Sequence, residues 1–268
     1  MRLEDFKARV FIGTPCYSGE VHYLLTESLL IAQLDCLTRK IFIDWHVAPG
    51  FSLVQYSRNY LVKQFLDDKA ATHLFWLDSD LGFSPDAIRR LVDRNLDVVC
   101  AVYPTKHPHT SIFPFMSCGP VIDGLQEASR VPGGFLMVSR RAVEAVVAQC
   151  KYHKLEHDGQ TMRVPHVFDL FYDGDDETLL GEDYLFSAKL RNAGFKIFVE
   201  TDVNLHHMGM HAFSGNLART MEREEAEGKS AQASPEAQAF NQKKHTREDR
   251  KIVKLTTRNK SWETNETA

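Results

Sequence analysis

Cysteine is scarce and poorly spaced for chemistry. The five residues, Cys16, Cys36, Cys100, Cys118 and Cys150, are scattered and contain no Cys-x-x-Cys pair, which removes cysteine-built zinc sites and dithiol redox work from consideration. Most read as small buried hydrophobes, and nothing near Cys16 marks it as a nucleophile. A run of about twenty apolar residues is also missing, so no transmembrane helix is expected. Neither charge sign dominates, since 32 Lys and Arg face 36 Asp and Glu for a formal net charge of -4. That balance argues against nucleic acid as a partner even at Lys243, Lys244, Arg247, Arg250 and Lys251, where acidic residues intersperse the basic ones. The segment Gly13-Thr14-Pro15-Cys16-Tyr17-Ser18-Gly19 holds no Lys or Arg, so a basic, glycine-rich phosphate loop is missing near the start. Met1-Arg2-Leu3-Glu4-Asp5 leads directly into an apolar run, leaving no room for a signal peptide, and cytoplasmic residence is the expectation.

What is present suits one sizeable core: 268 residues, 43% of them hydrophobic. Arg9 to Pro15 reads as a first strand, Val21 to Leu37 as an amphipathic helix and Lys40 to Val47 as a second strand, the βαβ rhythm of a mostly parallel sheet. A helical stretch follows from Arg58-Asn59 to Leu66, then buried-strand runs at Thr72 to Leu77 and Asp97 to Tyr103. Tyr103 to Phe115 is too punctuated by proline for regular structure, and Tyr152 to Asp176 reads as a polar insertion. Residues 1–215 are expected to form the catalytic domain. Residues 216–268, rich in Glu, Lys, Arg and Gln, are expected to form a polar helical extension with a frayed end that could join subunits, with helices at Leu217 to Glu222 and Ala237 to Phe240.

The densest chemical signal is Leu77-Asp78-Ser79-Asp80, two carboxylates placed where the strand Thr72 to Leu77 stops. Ser84-Pro85-Asp86 then reads as the start of a helix, with Ser84 as N-cap and Pro85 in the first position. The pair therefore lies at the carboxyl end of a strand in an α/β unit, the usual ligand edge of such a sheet. Hard oxygen ligands there suit a hard divalent cation and, through it, phosphate oxygens. Read alone, the same aspartates would also serve to solvate a turn.

At these residues the chain resembles a GT-A glycosyltransferase of the inverting, family 2-like group, over roughly residues 9 to 212. The resemblance implies a Rossmann-like α/β fold with a mixed, mostly parallel sheet flanked by helices. It implies a nucleotide-diphosphate sugar as donor, preferably a UDP-sugar, with Mn2+ or Mg2+ as cofactor. By the same likeness Thr14, Pro15 and Tyr17 lie in the loop that begins to hold the nucleotide. Arg58 contacts base or phosphate while Asn59 orders its loop, and Gly133-Gly134 lies beside the donor sugar, where a missing Cβ allows close approach. Asp80 is the more direct metal ligand. Asp78 takes ribose, metal or a metal-bound water, and Ser79 joins them.

Gly181-Glu182-Asp183 opens a helix that ends at Gly194. Such acidic residues also suit a helix dipole without further purpose, but the resemblance makes Asp183 the general base and Glu182 its supporting or acceptor-contacting neighbour. After the strand Phe195 to Val199, His207 within His206-His207-Met208-Gly209 matches the histidine that completes the metal shell of many such enzymes, with His206 and His211 as alternatives. Lys106 or His107 could meet the acceptor, whose class stays open among saccharide, lipid-linked intermediate, protein side chain and modified nucleobase. Two other readings stand beside this one: a nucleotidyltransferase or related phosphoryl-transfer enzyme, and a catalytically silent nucleotide-sugar-binding scaffold.

Overall fold

A computed structural model describes residues 5–107, 111–173, 178–209 and 212–226. The chain divides into two compact units, Met1–Thr220 and Met221–Ala268. The first unit opens with strand β1 (Ala8–Cys16), helix α1 (Tyr23–Thr38), β2 (Ile41–Pro49), α2 (Val54–Asp67), β3 (His73–Leu77), β4 (Leu81–Phe83), α3 (Ala87–Asp93) and β5 (Val98–Cys100). It continues through β6 (Met116–Ile122), β7 (Leu125–Arg130), β8 (Phe135–Ser139), α4 (Arg140–Val147), β9 (Tyr152–His157), β10 (Gln160–Pro165), β11 (Phe171–Asp173) and β12 (Thr178–Leu180). α5 (Glu182–Asn192), β13 (Ile197–Glu200), β14 (Leu205–Met208) and β15 (Ala212–Gly215) follow, and α6 (Leu217–Ala226) is the last described element.

Eight strands form the central sheet in the order β2-β1-β3-β8-β5-β13-β7-β6. β1 pairs parallel with β2 and β3, and β5 with β13; β8 opposes β3 and β5, and β7 opposes β13 and β6. Six strands therefore run one way and two against them, the mixed, mostly parallel α/β architecture expected from the sequence. The inner strand β3 is apolar on both faces, because helices cover both sides. Val10, Ile12, Phe75 and Leu77 pack with Leu25 and Leu29 of α1 and Ile88 and Leu91 of α3. On the alternate face Phe11 meets Phe65 of α2, ring centroids 5.9 Å apart. Each such side chain taken fully from water contributes about 1.5–3 kcal/mol.

Several boundaries differ from expectation. α2 starts at Val54, a turn before Arg58, so Arg58 and Asn59 stand inside the helix. Ser84 does not cap α3: its carbonyl closes a turn with the Ala87 N–H at 3.0 Å, and the helix starts at Ala87 behind Asp86. The run ending at Tyr103 leaves the ladder after Cys100. The polar stretch from Tyr152 contains the hairpin β9–β10, and β6–β7 forms a second hairpin at the sheet edge. Both turn on Asp-Gly pairs with positive φ at both residues, Asp123 (53°) and Gly124 (75°), Asp158 (50°) and Gly159 (72°), as two-residue hairpin turns require. The expected helix at Leu217 to Glu222 is the start of α6; Ala237 to Phe240 and the rest of the proposed subunit-joining extension lie outside the described residues, as does His211.

Candidate active site

Because β8 runs against β3, its entrance meets the exit of β3. The ladder closes at Leu77↔Phe135, and the Asp78 N–H donates to the Gly134 carbonyl at 2.9 Å. Two side-chain groups gather there.

The first centres on Arg58, only 3% exposed. Its guanidinium donates to Asp78 Oδ1 at 3.0 Å and to the Gly133 carbonyl at 3.2 Å. It lies over Trp76 and Phe168, 5.1 and 5.6 Å from their ring centroids, which adds cation–π attraction to the ion pair. Glu182 Oε1 is 3.7 Å from Arg58 Nε, and that buried N–H has no hydrogen-bond acceptor. Tyr103 donates its hydroxyl to Asp78 Oδ2 at 3.4 Å. Burial, with the Asp78 charge beside it, raises the phenol well above its ordinary pKa, so it remains a donor.

Asp183 completes this group. A Cβ on Gly133 would lie 3.2 Å from Asp183 Cβ and 3.4 Å from Arg58 Cζ, and one on Gly134 only 2.2 Å from Asp78 Oδ2. The glycines thus let the backbone approach the protein's own site side chains. Asp183 stands in the first turn of α5 and accepts the Tyr184 N–H on Oδ1 at 2.8 Å. Burial first, and then the charge of Glu182, push its carboxyl up to about 6, outweighing the helix-end N–H and Arg58.

The second group centres on Asp80. Lys106 Nζ lies 2.5 Å and His207 Nε2 3.5 Å from the same oxygen, Oδ2. Burial raises the Asp80 carboxyl, but the bonds from His207 and Lys106 prevail and hold it below the usual range. β14 pairs with β4, His207 opposite Leu81, and the Met208 N–H donates to the Asp80 carbonyl at 2.8 Å. Backbone pairing therefore fixes His207 beside Asp80. His207 Nδ1 is 2.8 Å from the Pro104 carbonyl, an acceptor only, so Nδ1 donates there and Nε2 is the nitrogen turned towards Asp80. His206, on the opposite face of β14, is exposed and bonded to Ser214 Oγ.

Other expected residues lie farther from this centre. Thr14 is fully enclosed and accepts from Trp45 Nε1 at 2.9 Å. Pro15 is half-buried at the end of β1, while Tyr17 is 75% exposed. Ser79 is half-buried, and its carbonyl takes the His22 N–H, which ties the acidic turn to the start of α1. Asn59 is wholly buried and spends its amide on the backbone of Val167 and Phe168, so it orders the segment that roofs Arg58. Tyr103, Trp76, Phe168 and Pro104 escaped the sequence reading as site residues. Only Tyr103 carried a signal, as the polar end of an apolar run. Among the described residues no group of three or more His, Cys, Asp and Glu side chains is gathered for a metal ion; Asp80 and His207 offer two ligand atoms.

No protein-family model matches the chain, and no curated protein matches it. Solved structures do. A197 from STIV is similar at 15% identity and a TM-score of 0.45, over 75% of this chain and 86% of that one. A glycosyltransferase involved in the glycosylation of the major capsid of PBCV-1 is similar at 15% identity and a TM-score of 0.31, over 51% of this chain and 62% of that one. Neither likeness says what this chain binds.

Proposed function

We propose that this chain is a metal-dependent glycosyltransferase that moves a sugar from a nucleotide-diphosphate donor, with UDP preferred, to an acceptor hydroxyl. The carrying observation is the pairing of Asp80 Oδ2 with Nε2 of His207, 3.5 Å apart, at the edge of a sheet where ligands collect. A carboxylate oxygen and an imidazole nitrogen fit Mn2+ and also Mg2+. With only two protein ligands, the remaining positions would fall to phosphate oxygens and water. When bound, the ion supplies positive charge to the departing diphosphate.

The chain's own residues do the rest. Arg58, fixed by Asp78 and enclosed by Trp76 and Phe168, keeps the acidic turn in place. Its Nε–H lies beside Glu182 Oε1 at 3.7 Å, next to the Asp183 base. Asp183 has one oxygen held by the Tyr184 N–H, which leaves Oδ2 to take the proton of the acceptor hydroxyl. A carboxyl pushed up to about 6 is a stronger base than an ordinary aspartate and is still ionised near neutral pH. In this reading the acceptor attacks from the Asp183 side and configuration inverts.

Calorimetric titration with UDP and with GDP, each with and without Mn2+, tests the donor half. Manganese-dependent binding of one nucleotide, abolished in Asp80→Ala, is the expected result. No binding of either nucleotide under either condition would remove the proposal.

A further inference from the structure

Lys106 has no part in the reaction as written above, yet it holds the oxygen that the cation would need. Its ammonium lies 2.5 Å from Asp80 Oδ2, the atom that also faces His207 Nε2. One carboxylate oxygen between an ammonium and an imidazole nitrogen cannot take a divalent ion unless the ammonium withdraws, because two cations at contact distance repel. Lys106 can withdraw. Its side chain is 39% exposed, and it stands on the irregular stretch after β5, two residues beyond the Pro104 carbonyl that orients His207.

Resting on the glycosyltransferase reading, we propose that Lys106 is a tethered counter-ion of Asp80. It occupies the cation position in the free protein, is displaced by the incoming metal, and then pairs with the diphosphate that arrives with it. One side chain thereby lowers affinity for the metal alone and raises affinity for the metal with nucleotide. That arrangement favours ordered loading, because free cation gains little and the cation–diphosphate complex gains a second positive partner. A flexible, strongly hydrated ammonium suits such an exchange better than a fixed fork of donors would.

Mn2+ binding, read from loss of the free ion's electron paramagnetic resonance signal, separates the roles without an activity assay. Lys106→Met keeps the alkyl stem and removes the charge. It is expected to bind Mn2+ alone about three- to fivefold tighter than wild type, the range of a part-exposed ion pair. In the presence of Mn2+ it is expected to bind UDP about tenfold more weakly. Lys106→Arg keeps the charge and should restore both values towards wild type, and circular dichroism should show all three proteins folded. Equal Mn2+ affinity in wild type and Lys106→Met, with binding still lost in Asp80→Ala, would overturn the counter-ion role and leave the glycosyltransferase reading standing. If wild type binds neither Mn2+ nor UDP, both fall together.

Discussion

At the scale of single residues, Asp183 carries two opposed demands. Burial, and then the charge of Glu182, push its carboxyl in the folded protein up to about 6, so folding favours the protonated form. The stability this adds is complete below the unfolded pKa and is lost as pH rises through about 6. Asp183→Asn should therefore be more stable than wild type at pH 7–8 by about 1–3 kcal/mol, read from denaturant midpoints. Transferase activity should fall about 100-fold or more, while wild-type activity should climb with pH through about 6. A variant of unchanged stability and activity would remove Asp183 as base. Gly134 is constrained by space: an alanine methyl would sit 2.2 Å from Asp78 Oδ2 and 2.6 Å from the Tyr103 hydroxyl. Gly134→Ala is expected to cost about 1–3 kcal/mol and to abolish nucleotide binding, measured by denaturation and calorimetry.

Elements show what could be read in advance. β1 and β3 were legible because each is an apolar run that ends in a chemically distinct loop, and α5 was legible through Gly181 and Gly194. α2 was read a turn short because Leu53 caps it without a side-chain bond and Gln55-Tyr56-Ser57 breaks the apolar pattern. β6 escaped because six of its seven residues are exposed, leaving no buried face to reveal a period of two. Its Asp123-Gly124 turn was the available signal. Within the site, chain order exposed Asp78, Asp80, Asp183 and His207. The Arg58 enclosure needed Phe168, 110 residues away, which no local pattern announces. The two hairpins supply a paired prediction. Gly159→Ala meets nothing within 4 Å and suffers only its positive φ, whereas a methyl at Gly124 also reaches 3.0 Å from Arg94 Nη2. Arg94 and Arg90 both bind the buried Glu200. Thermal unfolding should show a loss of about 1 kcal/mol at Gly159 and a larger one at Gly124.

For the molecule as a whole, a ligand that binds only the folded state raises its stability by mass action. UDP with Mn2+ at about 100 times the dissociation constant should add about 2.7 kcal/mol, or about 5–10 °C in Tm for a unit of this size. UDP alone should add far less, and Asp80→Ala should show no shift. Among the described residues no helix is long and apolar enough to cross a membrane.

The reversal of β8 sets a mechanical limit on this machinery. The glycine turn and the acidic turn leave the same end of one antiparallel ladder, so neither can shift against the other without shearing the middle of the sheet. That wall is stiff, with backbone amides that should exchange with solvent only on global unfolding. Adjustment to ligands of different size is then expected from the irregular chain after β5 that carries Pro104 and Lys106 beside Asp80 and His207. The protein would then bind as a fixed anvil faced by one yielding jaw.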